Sequence, residues 1–150
     1  MTTIKLQTEI NASIQTVFDL NRNIDIHKLS TSKSKETVIA GVTSGLIHKG
    51  ETVTWRGKHF GIYLTHKSLI SQMEFPHSFI DEMVEGKFKS FKHQHVFYEK
   101  EGKTIMEDQI EYETPFGIFG SVFDTLILKN HLTTFIKERN EFIKKTAEHF

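Results

Sequence analysis

Ile4, Leu6, Thr8 and Ile10 alternate with Lys5, Gln7, Glu9 and Asn11, and that period of two predicts a strand with one wet face. Asn11, Ala12 and Ser13 then place capping side chains ahead of Ile14, Val17 and Phe18. Their spacing predicts a short helix to about Leu20. A second short helix or turn is expected from Asn21 to Ser30, carrying Ile24 and Leu29, and it is too short to hold itself without packing. Thr31 to Lys35 is wholly polar and reads as a mobile connection.

Strands follow. Glu36 to Ala40 is a short one ended by Gly41, with a turn at Thr43, Ser44 and Gly45. After Gly50, Val53, Trp55 and His59 share one face and Gly57 reads as a bulge. Phe60 and Gly61 turn the chain into a long strand from Ile62 to about Phe75, stopped by Pro76. Period alone does not decide whether Leu64, His66, Ser68 and Ile70 or the intervening row faces inward. Phe79, Asp81 and Met83 form one face of the next strand, up to Gly86. Phe91, His93, His95 and Phe97 then alternate with Lys92, Gln94, Val96 and Tyr98.

Glu101 and Gly102 between Lys100 and Lys103 make a two-residue hairpin loop. A turn of fixed length fixes the register, so His95 should lie across from Asp108, Phe97 from Met106 and His93 from Ile110. Tyr112 joins that face, while Glu107, Gln109, Glu111 and Glu113 collect on the other.

From Phe116 to Phe150 the chain reads as one long helix behind Pro115. At ~100° per residue, Phe119, Val122, Phe123, Leu126 and Ile127 fall on one side, and Leu132, Phe135, Ile136, Phe142 and Ile143 nearly opposite. The stripe therefore jumps near Leu128 to His131, which calls for a bend or for a first half covered on both sides. In the second half Lys137, Glu138, Arg139, Glu141, Lys144 and Lys145 read as a solvated face. The order is strand, two short helices, about six more strands and one long helix, an α+β arrangement in which one sheet face is covered by one helix.

The 150 residues suit one domain, residues 1 to 150. Lys plus Arg number 19, as do Asp plus Glu, so no net field recruits nucleic acid or an anionic membrane. The absence of cysteine removes disulfides, thiolate metal sites and a cysteine nucleophile. With neither a signal-peptide pattern nor an apolar run of ~20 residues, a cytoplasmic protein is expected. Thirteen phenylalanines against four methionines and one tryptophan mean a core of rigid rings of the kind that lines apolar pockets.

The register places an imidazole beside a carboxylate on the inward face, so His93, His95 and Asp108 are the sharpest polar constellation. Burying either group alone is costly. A carboxylate beside histidine favours the imidazolium, which would move the histidine titration upward. The group fits a structural pair, a ligand anchor or an acid–base pair. Two histidines and a carboxylate are also an iron-type ligand set, but residues i and i+2 on a strand stand ~6 to 7 Å apart and chelate only if their rings converge. Neither metal nor cofactor is therefore assigned. Asp81 lies in an apolar row, to be paired with Arg56 or a histidine. Arg139 and Asn140 read as helix-capping or sheet-anchoring, and Asp124 as a partner for a backbone amide or a second subunit.

The stretch Gly50 to Arg56 with His59, Phe60 and Gly61, the run Phe79 to Met83 with Gly86, and His93, His95 and Phe97 carry a resemblance. So do Met106 with Asp108, Pro115 to Gly117, Asp124, and Arg139 with Asn140. Together with the element order they resemble the helix-grip fold of the START-like, or SRPBCC, superfamily, which includes the birch-pollen-type allergens and aromatic polyketide cyclases. The wording is most similar to a bacterial ligand-binding, polyketide cyclase/dehydrase-like branch. The resemblance implies an antiparallel sheet of about seven strands curved around the long last helix, with a cavity for a hydrophobic or aromatic small molecule.

The expected lining is Trp55, His59, Met83, Phe91, Phe97, Met106, Tyr112, Phe119, Phe123 and Leu126, with His93, His95, Asp81 and Asp108 as polar recognition. An enzyme of the cyclase or dehydratase type would use His93, His95, Asp108 and Asp81 for proton transfer. A third reading is an interaction module, or homodimer, docking through the first half of the last helix. It predicts a filled core and an exposed apolar patch near Val122 and Ile127.

Overall fold

A computed structural model describes residues 1–149; the expected helix end at Phe150 lies outside them. The chain runs β1 (Thr2–Ile10), α1 (Ile14–Asn21), α2 (Ile24–Ser30), β2 (Thr37–Gly41), β3 (Thr52–His59), β4 (Ile62–Glu74), β5 (Ser78–Glu85), β6 (Ser90–Lys100) and β7 (Lys103–Glu113). A helical run over 117–148 closes it, as α3 (Gly117–Phe123), a π segment (Asp124–Leu128) and α4 (Lys129–Glu148). The seven strands form one antiparallel sheet in the order β1-β7-β6-β5-β4-β3-β2. Sequential connections give every neighbouring pair except β1 with β7.

Local chemistry sets the boundaries. The Ser13 hydroxyl accepts the Thr16 amide to start α1, and the Asn23 side chain accepts those of Asp25 and Ile26 to start α2. Positive φ at both Glu101 and Gly102 makes the tight β6–β7 turn. The register that follows is the expected one: His95 opposite Asp108, Phe97 opposite Met106, His93 opposite Ile110. Thr31 to Lys35, expected to be mobile, instead holds a 3-10 turn over Ser32–Ser34. Thr31 and Ser34 are both buried there, and their hydroxyls donate to the carbonyls of His27 and Thr31.

Gly57 is not a bulge. The β3–β4 ladder runs straight through it, opposite Leu64, and the nearest irregularity is in β2 between Val38 and Ala40. Its small size has another cause: a Cβ there would stand 2.4 Å from a carboxyl oxygen of Glu36. In β4 the row Leu64, His66, Ser68 and Ile70 faces the interior, which settles the choice that period left open.

Phe18 packs edge-on against Phe79 and Phe97 beneath α1, and Ile143 and Ala147 of α4 join that cluster. Ile4, Ile110, Tyr112, Leu128 and Ile136 form a second cluster. The jump in the helical stripe coincides with the π segment, whose wider turn rotates the face presented to the sheet. Up to its end, the residues turned inward are Gly120, Asp124 and Leu128, four apart. Phe119 is 82% exposed, Leu126 69% and Phe123 40%, so these three expected cavity residues stand in solvent instead.

Tyr112 and Thr2 both donate hydroxyl hydrogen bonds to the Asp124 carboxylate. Asp124 is thus an anchor to the sheet, not a partner for a backbone amide. Arg139, expected on the wet face of α4, is 3% exposed. Its guanidinium donates to the side-chain oxygens of Asn140 and Asn21.

Candidate functional site: a cavity with two polar poles

α1 and α4 lie against β1, β6 and β7 and leave a hollow over β3, β4 and β5. The cavity has a volume of about 210 Å³. Val53, Trp55, Ile70, Phe79, Leu128 and Ile136 make much of its wall, drawn from both core clusters. Phe60 and Lys87 are exposed and mark its rim.

Trp55, His59, Asp81, Phe91 and His95, all expected in the lining, border the cavity. Six other expected residues do not line it. Phe97 is covered by the Phe18 ring, Met106 receives the Asn21 amide on its sulfur, and Tyr112 is held by Asp124. His93 and Asp108 are closed off by their own hydrogen bonds and by Asn140. Met83 turns its sulfur toward Gly86. All but Met83 are buried; parity put them on the concave face correctly, but the helices fill the space above them.

The first pole is built on β5 and β6. His95 Nε2 donates to Asp81 Oδ2 at 2.7 Å, and His93 Nε2 to Asp108 Oδ1 at 2.6 Å. The expected His95–Asp108 bond is replaced by these two diagonal ones, with His95 Nδ1 left 3.7 Å from Asp108. The rings stack with centroids 3.7 Å apart. Asn140 Nδ2 donates to the other Asp108 oxygen at 2.7 Å, and the Arg139 guanidinium lies 3.7 Å from the first.

Burial pushes His95 down to about 4, and neighbouring His93 adds to this, outweighing the hydrogen bond to Asp81. The upward movement expected beside a carboxylate is therefore overturned: desolvation dominates. Burial acts on Asp81 in the opposite sense, yet the hydrogen bond from His95 and the proximity of His93 hold its carboxyl at about 2. Asp108 is likewise held well below the usual carboxylate range, since the His93 hydrogen bond and Arg139 outweigh its burial. A neutral His95 donating from Nε2 leaves Nδ1 as a lone-pair acceptor, and this buried atom has no partner among the described residues.

Ligand atoms of Asp81, His93 and His95 lie within 4.8 Å of one another. The two rings are close to parallel, at 20°, so their in-plane lone pairs run side by side instead of converging, and both Nε2 atoms already serve carboxylates.

The second pole joins β3, α4 and the residue before β2. His59 Nδ1 and His131 Nε2 are 2.9 Å apart, and His59 Nε2 is 3.9 Å from Glu36 Oε1. Burial, with His59 nearby, moves His131 downward. Glu36, His27, His66, His131 and Arg139 all border the cavity and were missed in the sequence. His27 lies tilted against Trp55, with centroids 4.1 Å apart, and burial drives it down to about 3. The glycine at position 57 inside a strand was the available signal for Glu36, since strand glycines mark close approach.

No family model matches the chain, and no curated relative does. Solved structures do. The KanY protein has a TM-score of 0.75 at 16% identity, with 98% of this chain and 97% of that one covered. TTHA0849, a protein of Thermus thermophilus, has a TM-score of 0.72 at 16% identity over 97% and 99%. Ginseng major latex-like protein 151 from Panax ginseng has a TM-score of 0.71 at 17% identity over 97% of each chain. At such identities the likeness is one of architecture: the chain has the helix-grip fold of the birch-pollen-allergen type, a seven-stranded antiparallel sheet curved around a long C-terminal helix.

Proposed function

We propose that the protein binds a small hydrophobic or aromatic molecule in the hollow between β3–β5 and the C-terminal helix. The observation that carries this reading is the cavity itself: about 210 Å³, walled by aromatic and aliphatic side chains, with the His95–Asp81 pair set into the wall. An apolar cavity of ~150 Å³ accepts benzene, so one or two fused rings fill this one and a further ring reaches its open rim at Phe60 and Lys87. Shape and burial supply affinity, and the His95–Asp81 pair in the wall supplies the polar contact that orients the ligand.

Trp55 is the sole tryptophan and lines the cavity, which makes energy transfer from it to N-phenyl-1-naphthylamine a direct assay. Saturable sensitised emission is expected from the wild type. Ser68→Phe, which fills the hollow from β4, should weaken it at least tenfold, and Phe119→Glu should leave it unchanged. The converse pattern would put the probe on the outside of the helix and end the cavity reading.

A second reading is favoured by the exposure of Phe116, Ile118, Phe119 and Leu126, with Val122 and Ile127 also exposed. At about 100 Å² each the six present roughly 600 Å², which approaches the ~800 Å² per partner of a standard interface. The thirteen residues 116–128 include one charge, the buried Asp124, so a second copy of the same uncharged ridge is a better match than a charged surface. Sedimentation at rising concentration should show a dimer that Phe119→Glu abolishes. A monomer at every concentration would dismiss it.

A further inference from the structure

We propose that Glu36, His59 and His131 form an amine-recognition site in this cavity, taking the protonated amino group of an aromatic or aryl-alkyl amine. The inference rests on the small-molecule reading above and narrows it to a ligand class.

The Glu36 side chain is only 9% exposed, and its Oε2 has no hydrogen-bond partner among the described residues. It borders the cavity, pressed against Gly57. A buried carboxylate oxygen left unpaired is costly, so a ligand donor delivered there is favoured. The 3.9 Å between Glu36 Oε1 and His59 Nε2 is too long for a direct hydrogen bond, and it leaves both atoms available to a guest.

The 2.9 Å contact between His59 Nδ1 and His131 Nε2 uses one ring nitrogen of each imidazole, so His59 Nε2 is the atom turned toward Glu36. A group entering beside Glu36 meets the carboxylate oxygens, and an ammonium, with three donors and no acceptor, satisfies them. A carboxylate entering there meets the like charge of Glu36. The Phe60 and Phe135 rings stand beside the two imidazoles, with centroids 4.4 Å from His131 and 5.4 Å from His59, and aromatic faces add cation–π attraction.

Among the described residues, no arginine or lysine around the cavity is paired with Glu36. Arg139 lies against Asp108, and Arg22 is bonded to Asp19. Lys87 is on the exposed rim. The lining histidines His27, His66, His95 and His131 are all moved downward by burial, so they add little positive charge at pH 8.

Three competitors sharing one naphthalene ring system test this at pH 8: 2-(1-naphthyl)ethylamine, 2-(1-naphthyl)ethanol and 1-naphthylacetate, each displacing N-phenyl-1-naphthylamine. The amine should compete at concentrations at least tenfold below the acetate and several-fold below the alcohol. Glu36→Gln, which keeps the shape, should erase the amine's advantage while leaving the alcohol and the fluorescent probe within about twofold of wild type, charge-assisted hydrogen bonds being roughly twice as strong as neutral ones. An alcohol equal to the amine, or an advantage that survives Glu36→Gln, overturns the amine site and leaves the cavity reading standing. Calorimetric titration of the amine needs no probe, and absence of heat there together with absence of sensitised emission overturns both.

Discussion

Replacing Asp108 by asparagine isolates the polar network that ties the sheet to the last helix. The wild-type carboxylate accepts from His93 at 2.6 Å and Asn140 at 2.7 Å, with Arg139 at 3.7 Å, and it is 2% exposed. The asparagine amide has one oxygen for two donors, so its NH2 must point at the His93 N–H or at the Asn140 NH2. One charge-assisted hydrogen bond is lost, worth about 1.5–3 kcal/mol. Arg139 is also left buried without its nearest carboxylate, and breaking a buried pair costs about 3–5 kcal/mol. These two figures describe overlapping events and are not summed; the expected loss at pH 7 is about 3–5 kcal/mol. For a chain of this length that lowers the melting temperature by roughly 6–20 °C.

The pH dependence provides a second, independent readout. The folded Asp108 carboxyl is held below its ordinary value, so its contribution is complete above the unfolded pKa of about 3.9 and is lost as pH falls from there through the folded pKa. Urea unfolding of wild type and Asp108→Asn should give the same difference at pH 7 and pH 5, shrinking only below about pH 4. A difference under about 1 kcal/mol at pH 7, the size of a single ordinary hydrogen bond, or one that closes between pH 7 and 5, would refute the network as drawn.

Two further outcomes follow from the same geometry. His95 titrates near 4 when folded and about 6.5 when unfolded, so the unfolded chain takes up a proton first as pH falls. Stability should drop between these values by up to about 1.4 kcal/mol per pH unit for this histidine; His95→Gln, which keeps a donor for Asp81, should flatten the slope measured by urea unfolding from pH 7 to 5, and an unchanged slope would count against a neutral His95. A Cβ on Gly57 would lie 2.4 Å from Glu36 Oε2 and 2.7 Å from its Cδ, so Gly57→Ala should cost about 1–3 kcal/mol and expel the carboxyl, with Glu36→Ala restoring stability in the double variant. Additive losses on thermal melting would show that the two sites do not touch.

The pairing of β6 with β7 was legible because a two-residue turn and a period of two leave one register, and His95 with Asp108 followed directly. What the period does not encode is which part of a concave face lies under a helix and which under empty space. Phe97, Met106 and Tyr112 have the parity of cavity residues, yet Phe18, Asn21 and Asp124 fill the volume above them. Phe119 and Leu126 were misplaced for a different reason: an apolar stripe is expected to be covered, whereas Gly120 and Asp124 take the place against the sheet and leave that stripe in solvent. Arg139 reads both as a sheet anchor and as part of the wet face, and its burial was not legible because its partners, Asp108 and Asn21, are distant in sequence.

The exposure of the first helical half follows from how its rotation is pinned. A Cβ at Gly120 would fall 1.9 Å from the Pro115 carbonyl oxygen, so glycine lets the helix close onto its own lead-in, while Phe116, at φ 68°, makes the sharp turn into it. One turn later Asp124 is bonded to Tyr112 and Thr2 on two strands. These two anchors direct a small residue and a carboxylate at the sheet, and the bulky side chains between them have nowhere to point but outward. α4 needs a different rotation, to bury Ile136, Asn140 and Ile143, and the π segment reconciles the two. Phe60 then sits where both proposed surfaces meet, its ring 5.5 Å from Phe123 on the ridge and 4.4 Å from His131 at the amine pole. A guest that moved Phe60 at one surface would change the free energy of occupying the other, and linkage requires the effect to be equal in both directions.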